Sequence, residues 1–153
     1  MAWLELKVPP VAVVAVVAAG MWAVARAMPS LGAAFPGQGT LAAALGVAGI
    51  ALGVAGIAAF RRAHTTVHPM TPGKASALVA SGIYRRTRNP MYLGLLMLLA
   101  AWGVHLGHPL ALAGLPVFVA YMNRFQIAPE ERALREKFGA DFAAYERSVR
   151  RWL

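Results

Sequence analysis

At 153 residues, with 59% hydrophobic and only 14% charged side chains, the chain is about one domain long and far from the average soluble balance. Fifteen Lys and Arg against six Asp and Glu give a formal charge of +9, which in so apolar a chain points to anionic headgroups or an anionic ligand. The absence of cysteine excludes a disulfide framework, a thiol nucleophile and a thiolate metal site.

After a short polar start, Pro9 to Met28 is an almost uncharged run close to the roughly 20 residues that cross a bilayer. It reads as a first transmembrane helix. A secretory signal peptide is the rival, since Ala25-Arg26-Ala27 loosely resembles a cleavage site, but the apolar run is too long and Glu5 stands beside a lone Lys7. Pro29 to Gly39 carries prolines and glycines without charge and reads as a turn. A second span is expected over Thr40 to Phe60, where Leu45-Gly-Val-Ala-Gly-Ile-Ala51 recurs as Leu52-Gly-Val-Ala-Gly-Ile-Ala58. Gly46, Gly49, Gly53 and Gly56 then line one face, and helices in lipid associate by close van der Waals approach. That face serves either as a packing seam within the chain or as a homodimer contact.

Arg61 to Asn89 is a long polar segment with six cations and no acid. Within it, Ser81 to Gly94 gathers arginines and tyrosines just before an apolar run, and Asn89-Pro90 is a helix-starting pair, with Asn89 as N-cap. Pro90 to Leu106 is the expected third span. Pro109 to Ile127 is the fourth, with a kink at Pro116. From Pro129 to Trp152, Leu134, Phe138, Phe142, Tyr145, Val149 and Trp152 recur at steps of three and four, the mark of an amphipathic helix bent at Gly139 and lying along an anionic membrane surface.

With four spans, the start, the long segment and the tail share one side of the membrane, and fourteen of the fifteen cations fall there. The positive-inside rule makes that side the cytoplasm, with both termini inside, and leaves nucleic acid a remote partner. The expected fold is thus an all-α integral membrane protein. A membrane hairpin over 1–60 and a cofactor-binding region over 61–153 would form one structural unit.

Asn123, Gln126 and Glu130 fall on one face where the fourth span leaves the lipid. Intramembrane polar groups are either functional or tie helices together. Glu130 and Glu131 follow Pro129, so they either benefit from a helix N-terminal dipole, worth about 0.3 to 1 kcal/mol, or face the basic loop as a ligand clamp. Carboxylates on an ammonium and arginines on a carboxylate would hold a zwitterion. Tyr84 and Tyr92 serve as a headgroup belt or as ring faces for a cation. His64 and His68 are four apart, but two ligands make no metal site and no HExxH pattern is present, so no metal is expected.

Gly82-x-Tyr84, then Arg88-Asn89-Pro90-Met91-Tyr92-x-Gly94, a membrane hairpin, and Pro129-Glu130-Glu131-x-x-Leu134 with Phe138-Gly139 and Tyr145 resemble the isoprenylcysteine carboxyl methyltransferase and phospholipid methyltransferase superfamily. Thr65-Thr66-Val67 with Pro69 resembles its small bacterial members. The resemblance implies a bacterial inner-membrane methyltransferase that uses S-adenosylmethionine at the cytoplasmic face and acts on a lipophilic acceptor. Together with the polar residues above, it makes Tyr84, Arg88, Asn89, Pro90, Tyr92, Leu93, Gly94, Asn123, Gln126, Glu130 and Glu131 the expected cofactor-binding set. Glu131, as general base for an amine acceptor, and Arg88 are the expected catalytic pair. Asn89 stands where eukaryotic protein methyltransferases commonly have His, so the resemblance does not carry an isoprenylcysteine substrate with it. Two other readings are an NADPH-dependent reductase similar to the membrane sterol reductases, and a non-enzymatic packing module.

Overall fold

The computed structural model describes residues 4–64 and 76–153, and every regular element among them is helical. His68, Lys74, the Thr65–Val67 segment and Pro69 lie outside the described residues. The helices are α1 (Pro10–Ala27), α2 (Gln38–Arg62), α3 (Pro90–Leu106), α4 (Gly114–Tyr121) and α5 (Ala128–Ser148), with short 3-10 turns at Pro29–Leu31, Gly82–Arg85 and Pro109–Ala113. Three helical stretches, Pro10–Ala27, Gln38–Arg62 and Pro109–Ser148, are long and apolar enough to cross a membrane, and α3 is a shorter apolar helix.

The glycine face of α2 packs within the chain. A methyl added at Gly94 of α3 would stand 2.6 Å from Gly49 O and 3.1 Å from Gly53 N, and one added at Gly56 would stand 2.7 Å from Met91 Cγ. Only glycine lets the two backbones come this close, which is the contact lipid-embedded helices rely on. The opposite face of α2 leaves Val47, Ile50 and Val54 exposed. On the other side of α3, Val13, Met21, Leu99, Phe118, Met122 and Ile127 form the central core with α1 and α4.

Polar contacts sort the molecule into two ends. At one, Gln38 Nε2 donates to Val104 O at 2.8 Å and His105 O at 3.0 Å, Ala33 N–H donates to Gly107 O, and His108 Nε2 meets Met28 O at 2.9 Å. At the other, Glu5 bridges Arg124 (2.6 Å) and Arg132, and Leu6 N–H donates to Phe125 O at 3.0 Å. Pro129 has no N–H to give to Phe125 O, four residues back, and that carbonyl accepts from Leu6.

Pro116, where a kink was expected, is the third residue of α4, directly after the 3-10 turn Pro109–Ala113. Two other expectations need correction. No helix starts afresh at Pro129: α4 runs through a π-helical segment, Met122–Ile127, directly into α5. Glu130 and Glu131 therefore face no free helix N-terminus. Finally, the amphipathic tail does not lie flat. At Gly139, φ 50° and ψ −118° break the helix in a conformation only glycine adopts readily, and the chain turns back. Arg135 and Glu146 form a 2.7 Å ion pair, whereas eleven residues of straight helix would set them about 16 Å apart. The apolar stripe is consumed inside: Phe142 and Tyr145 bury against Ala59, Val79 and Tyr84, with Leu134, Phe138 and Val149 packed around them. Full burial of a side chain such as Phe142, 1% exposed, stabilises by about 1.5–3 kcal/mol.

Candidate functional site

The returning tail meets the turn before α3. Tyr84 is seated first: Phe60 meets its ring edge-on at 5.4 Å, and the Tyr145 hydroxyl donates to Tyr84 O at 2.8 Å. Burial pushes the Tyr84 phenol up, so it stays neutral. Thr87, 1% exposed, follows; its hydroxyl accepts from Asn89 N–H at 3.2 Å and donates to Arg151 O at 3.2 Å. Asn89 occupies the N-cap position of α3 but makes no capping bond. Its Nδ2 donates to Arg151 O at 2.9 Å instead, so the expected cap is replaced by a tie to the tail.

Arg88 and Glu131 form a buried pair, 10% and 8% exposed, at 2.9 Å. Arg151 adds a second guanidinium, with Nε on Glu131 Oε1 at 3.1 Å and Nη2 on Oε2. The bond to Glu131 raises the Arg151 guanidinium above its ordinary value. Arg88 Nη1 also donates to Glu146 O at 2.9 Å and Val149 O at 2.5 Å, while Arg88 Nε is buried with no partner among the described residues. Three guanidinium donors occupy three of the about four acceptor sites of the Glu131 carboxylate. This argues against Glu131 as a general base, since two guanidinium charges already hold it before any ligand arrives.

Glu130, the next residue up the chain, differs. The Tyr92 hydroxyl donates to Glu130 Oε1 at 2.5 Å and Gln126 Nε2 to the same oxygen at 2.6 Å. Oε2 accepts no bond from the described residues. Gln126 lies in the π segment, a local widening of the kind often found at functional sites. Asn123, expected beside it, is engaged elsewhere: its Oδ1 accepts from Trp152 Nε1 at 3.0 Å.

Arg88, Asn89, Tyr92, Gln126, Glu130 and Glu131 thus converge at one end of the bundle, with Asn123 joined through Trp152. Gly94 packs on α2, Pro90 and Leu93 are buried, and Tyr84 belongs to the second core. Thr87, Glu146, Arg151 and Trp152 are site neighbours the sequence did not single out. The only hint was the Arg150-Arg151-Trp152 run at the end of an apolar stripe. Beside them a groove of about 560 Å³ opens between Ala80, Arg85, Tyr145, Ser148 and Val149. Among the described residues, no group of three or more His, Asp or Glu is arranged to hold a metal.

A family model described as phospholipid methyltransferase matches residues 38–141, from the first residue of α2 to just past the break at Gly139. A protein of Haemophilus influenzae described as uncharacterized is 49% identical over 63 residues, 41% of this chain and the whole of that protein. No solved structure matches the chain. The matched stretch, about two thirds of the chain, includes Arg88, Tyr92, Gln126, Glu130 and Glu131, and the chain belongs to the phospholipid methyltransferase family.

Proposed function

We propose that the protein transfers the methyl group of S-adenosylmethionine to a lipophilic acceptor at the cytoplasmic face of the membrane. Within a methyltransferase family, the observation that carries this reading is the Glu130 carboxylate, held on Oε1 by Tyr92 and Gln126 with Oε2 left over. The residues present fit the cofactor's charges: Glu130 Oε2 is a carboxyl oxygen open to a cation, whose charge would favour the ionised form, and among the described residues Arg88 Nε is a buried donor still without an acceptor. When bound, S-adenosylmethionine supplies an electrophilic methyl on a sulfonium.

The chain's own part is positioning and exclusion of water. Tyr92 and Gln126 fix Glu130, while Arg88 and Arg151 hold Glu131 and the start of α3 against the tail. A carboxylate or phosphate-bearing acceptor needs no proton removed. Four spans, with α3 as the third, bring the start, the 61–89 segment and the tail to one side, and the site end gathers Arg85, Arg86, Arg124 and Arg132. Cation-rich ends stay on the cytoplasmic side.

The test is calorimetric titration of the purified protein with S-adenosylmethionine and, separately, NADPH. Binding of the first alone is expected, weakened about tenfold or more in Glu130→Gln through loss of the charge-assisted contact. Binding of NADPH alone would support the reductase reading, and binding of neither would favour a packing module.

A further inference from the structure

The family match stops at residue 141. Yet residues 149–152, beyond that limit and past α5, carry bonds to Thr87, Arg88, Asn89, Asn123 and Glu131. Backbone at Val149 is extended (φ −130°, ψ 133°), so successive side chains turn to opposite sides. Val149 and Arg151 face the protein and are half-buried, while Arg150 is exposed. Arg88 N–H donates to Arg150 O at 2.9 Å, Arg88 Nη1 to Val149 O at 2.5 Å, and Thr87 and Asn89 both donate to Arg151 O. From the same strap the Arg151 fork grips both oxygens of Glu131, and Trp152, packed on the central core, donates to Asn123.

These contacts add to the direct Arg88–Glu131 pair and brace three elements from one side: the Thr87–Asn89 turn, the π segment and the first turn of α5. We infer that Val149–Trp152 is a built part of the ligand site, with Arg151 as a positioning residue that aims Glu131 and sets the Asn89 turn in register with Tyr92 and Glu130. The inference rests on the S-adenosylmethionine reading above. Arginine is required because its planar fork engages both carboxylate oxygens at once; a lysine would keep the charge and lose one of the two contacts.

The experiment titrates S-adenosylmethionine into full-length wild type, Arg151→Ala, Arg151→Lys, Trp152→Phe and the exposed control Arg147→Ala, and records for each the melting temperature without ligand. In parallel, hydrogen exchange is followed at residues 87–93 and across the α2–α3 seam. Arg151→Ala is expected to weaken binding about tenfold or more and to speed exchange at residues 87–93 while the seam stays protected. Arg151→Lys should recover part of the affinity, Trp152→Phe should show a smaller loss, and Arg147→Ala none. Affinity within about twofold of wild type in Arg151→Ala would overturn the inference. So would a loss that follows melting temperature across the set without rescue by lysine, since that marks a purely structural strap. Absence of wild-type binding would instead remove the cofactor reading, and the strap's ligand role with it, a result distinct from either of these.

Discussion

Glu130 and Glu131 are neighbours in sequence and opposites in surroundings. Glu131 is closed on both oxygens by Arg88 and Arg151. Removing its charge in Glu131→Gln leaves the buried Arg88 guanidinium with only its longer, 3.7 Å pair to Glu146, and the expected loss is about 3 kcal/mol of stability, at the low end for a broken buried pair, read by unfolding in detergent. Glu130→Gln breaks no ion pair and should lower stability less than it lowers ligand affinity. Glu5 offers a pH test outside the spans. The hydrogen bond from Arg124, joined by Arg132, holds its carboxyl below the ordinary 4.5. A depressed folded-state value means the contribution is fully present above about 4.5 and lost as pH falls through the lower folded value. Wild type should therefore lose stability on acidification below about pH 4.5 more steeply than Glu5→Gln, as measured by melting temperature across that range. At this scale the residue types of the site were legible, because carboxylates, arginines and amides at a membrane edge need partners. Their pairing was not. Asn89 in an N-cap position reads as a cap, and only the returning tail explains why its amide goes to Arg151 O.

The α2–α3 seam and the α4–α5 junction show what element-level patterns can and cannot carry. The repeated glycine heptad located a face for close helix approach, and left open whether its partner lay within the chain or in a second copy; Gly94 and Met91 of α3 fill that place. Its atomic consequence is asymmetric. A Cβ at Gly94 would collide with Gly49 O at 2.6 Å, whereas one at Gly53 meets nothing within 4 Å. Gly94→Ala is therefore expected to cost about 1–3 kcal/mol by overpacking. Gly53→Ala should be neutral or gain up to about 1 kcal/mol from helix propensity, and thermal unfolding of both variants distinguishes the cases. The π segment was not legible, because Met122–Ile127 has the same residue types an α-helix would use and the extra residue per turn leaves no mark in composition. The reversal at Gly139 was half legible. Glycine announced a bend, but a stripe at steps of three and four looks the same whether it faces lipid or a second core, and Phe60, Ala59 and Tyr84 decide the matter from distant positions.

For the whole molecule, the absence of cysteine makes the two ends separately addressable. Ser30 lies in the turn after α1 and Ser148 at the close of α5, and both are exposed. A membrane-impermeant maleimide applied to intact cells is expected to label Ser30→Cys and spare Ser148→Cys; the reverse pattern would put the site on the outer face. The all-helical architecture with apolar spans was legible because apolar length is a summed property that single contacts barely change. The strap at Val149–Trp152 carries a consequence in time. It follows every helix among the described residues, so the membrane helices can insert and pair while Arg88, Asn89 and Asn123 still lack the partners it brings. Chains are made at about 5–20 residues per second and fold as they emerge, so the bundle exists first as a scaffold with an open polar end. If the strap has the role inferred above, the polar end is completed only after Val149–Trp152 has doubled back onto Arg88, Asn89 and Asn123.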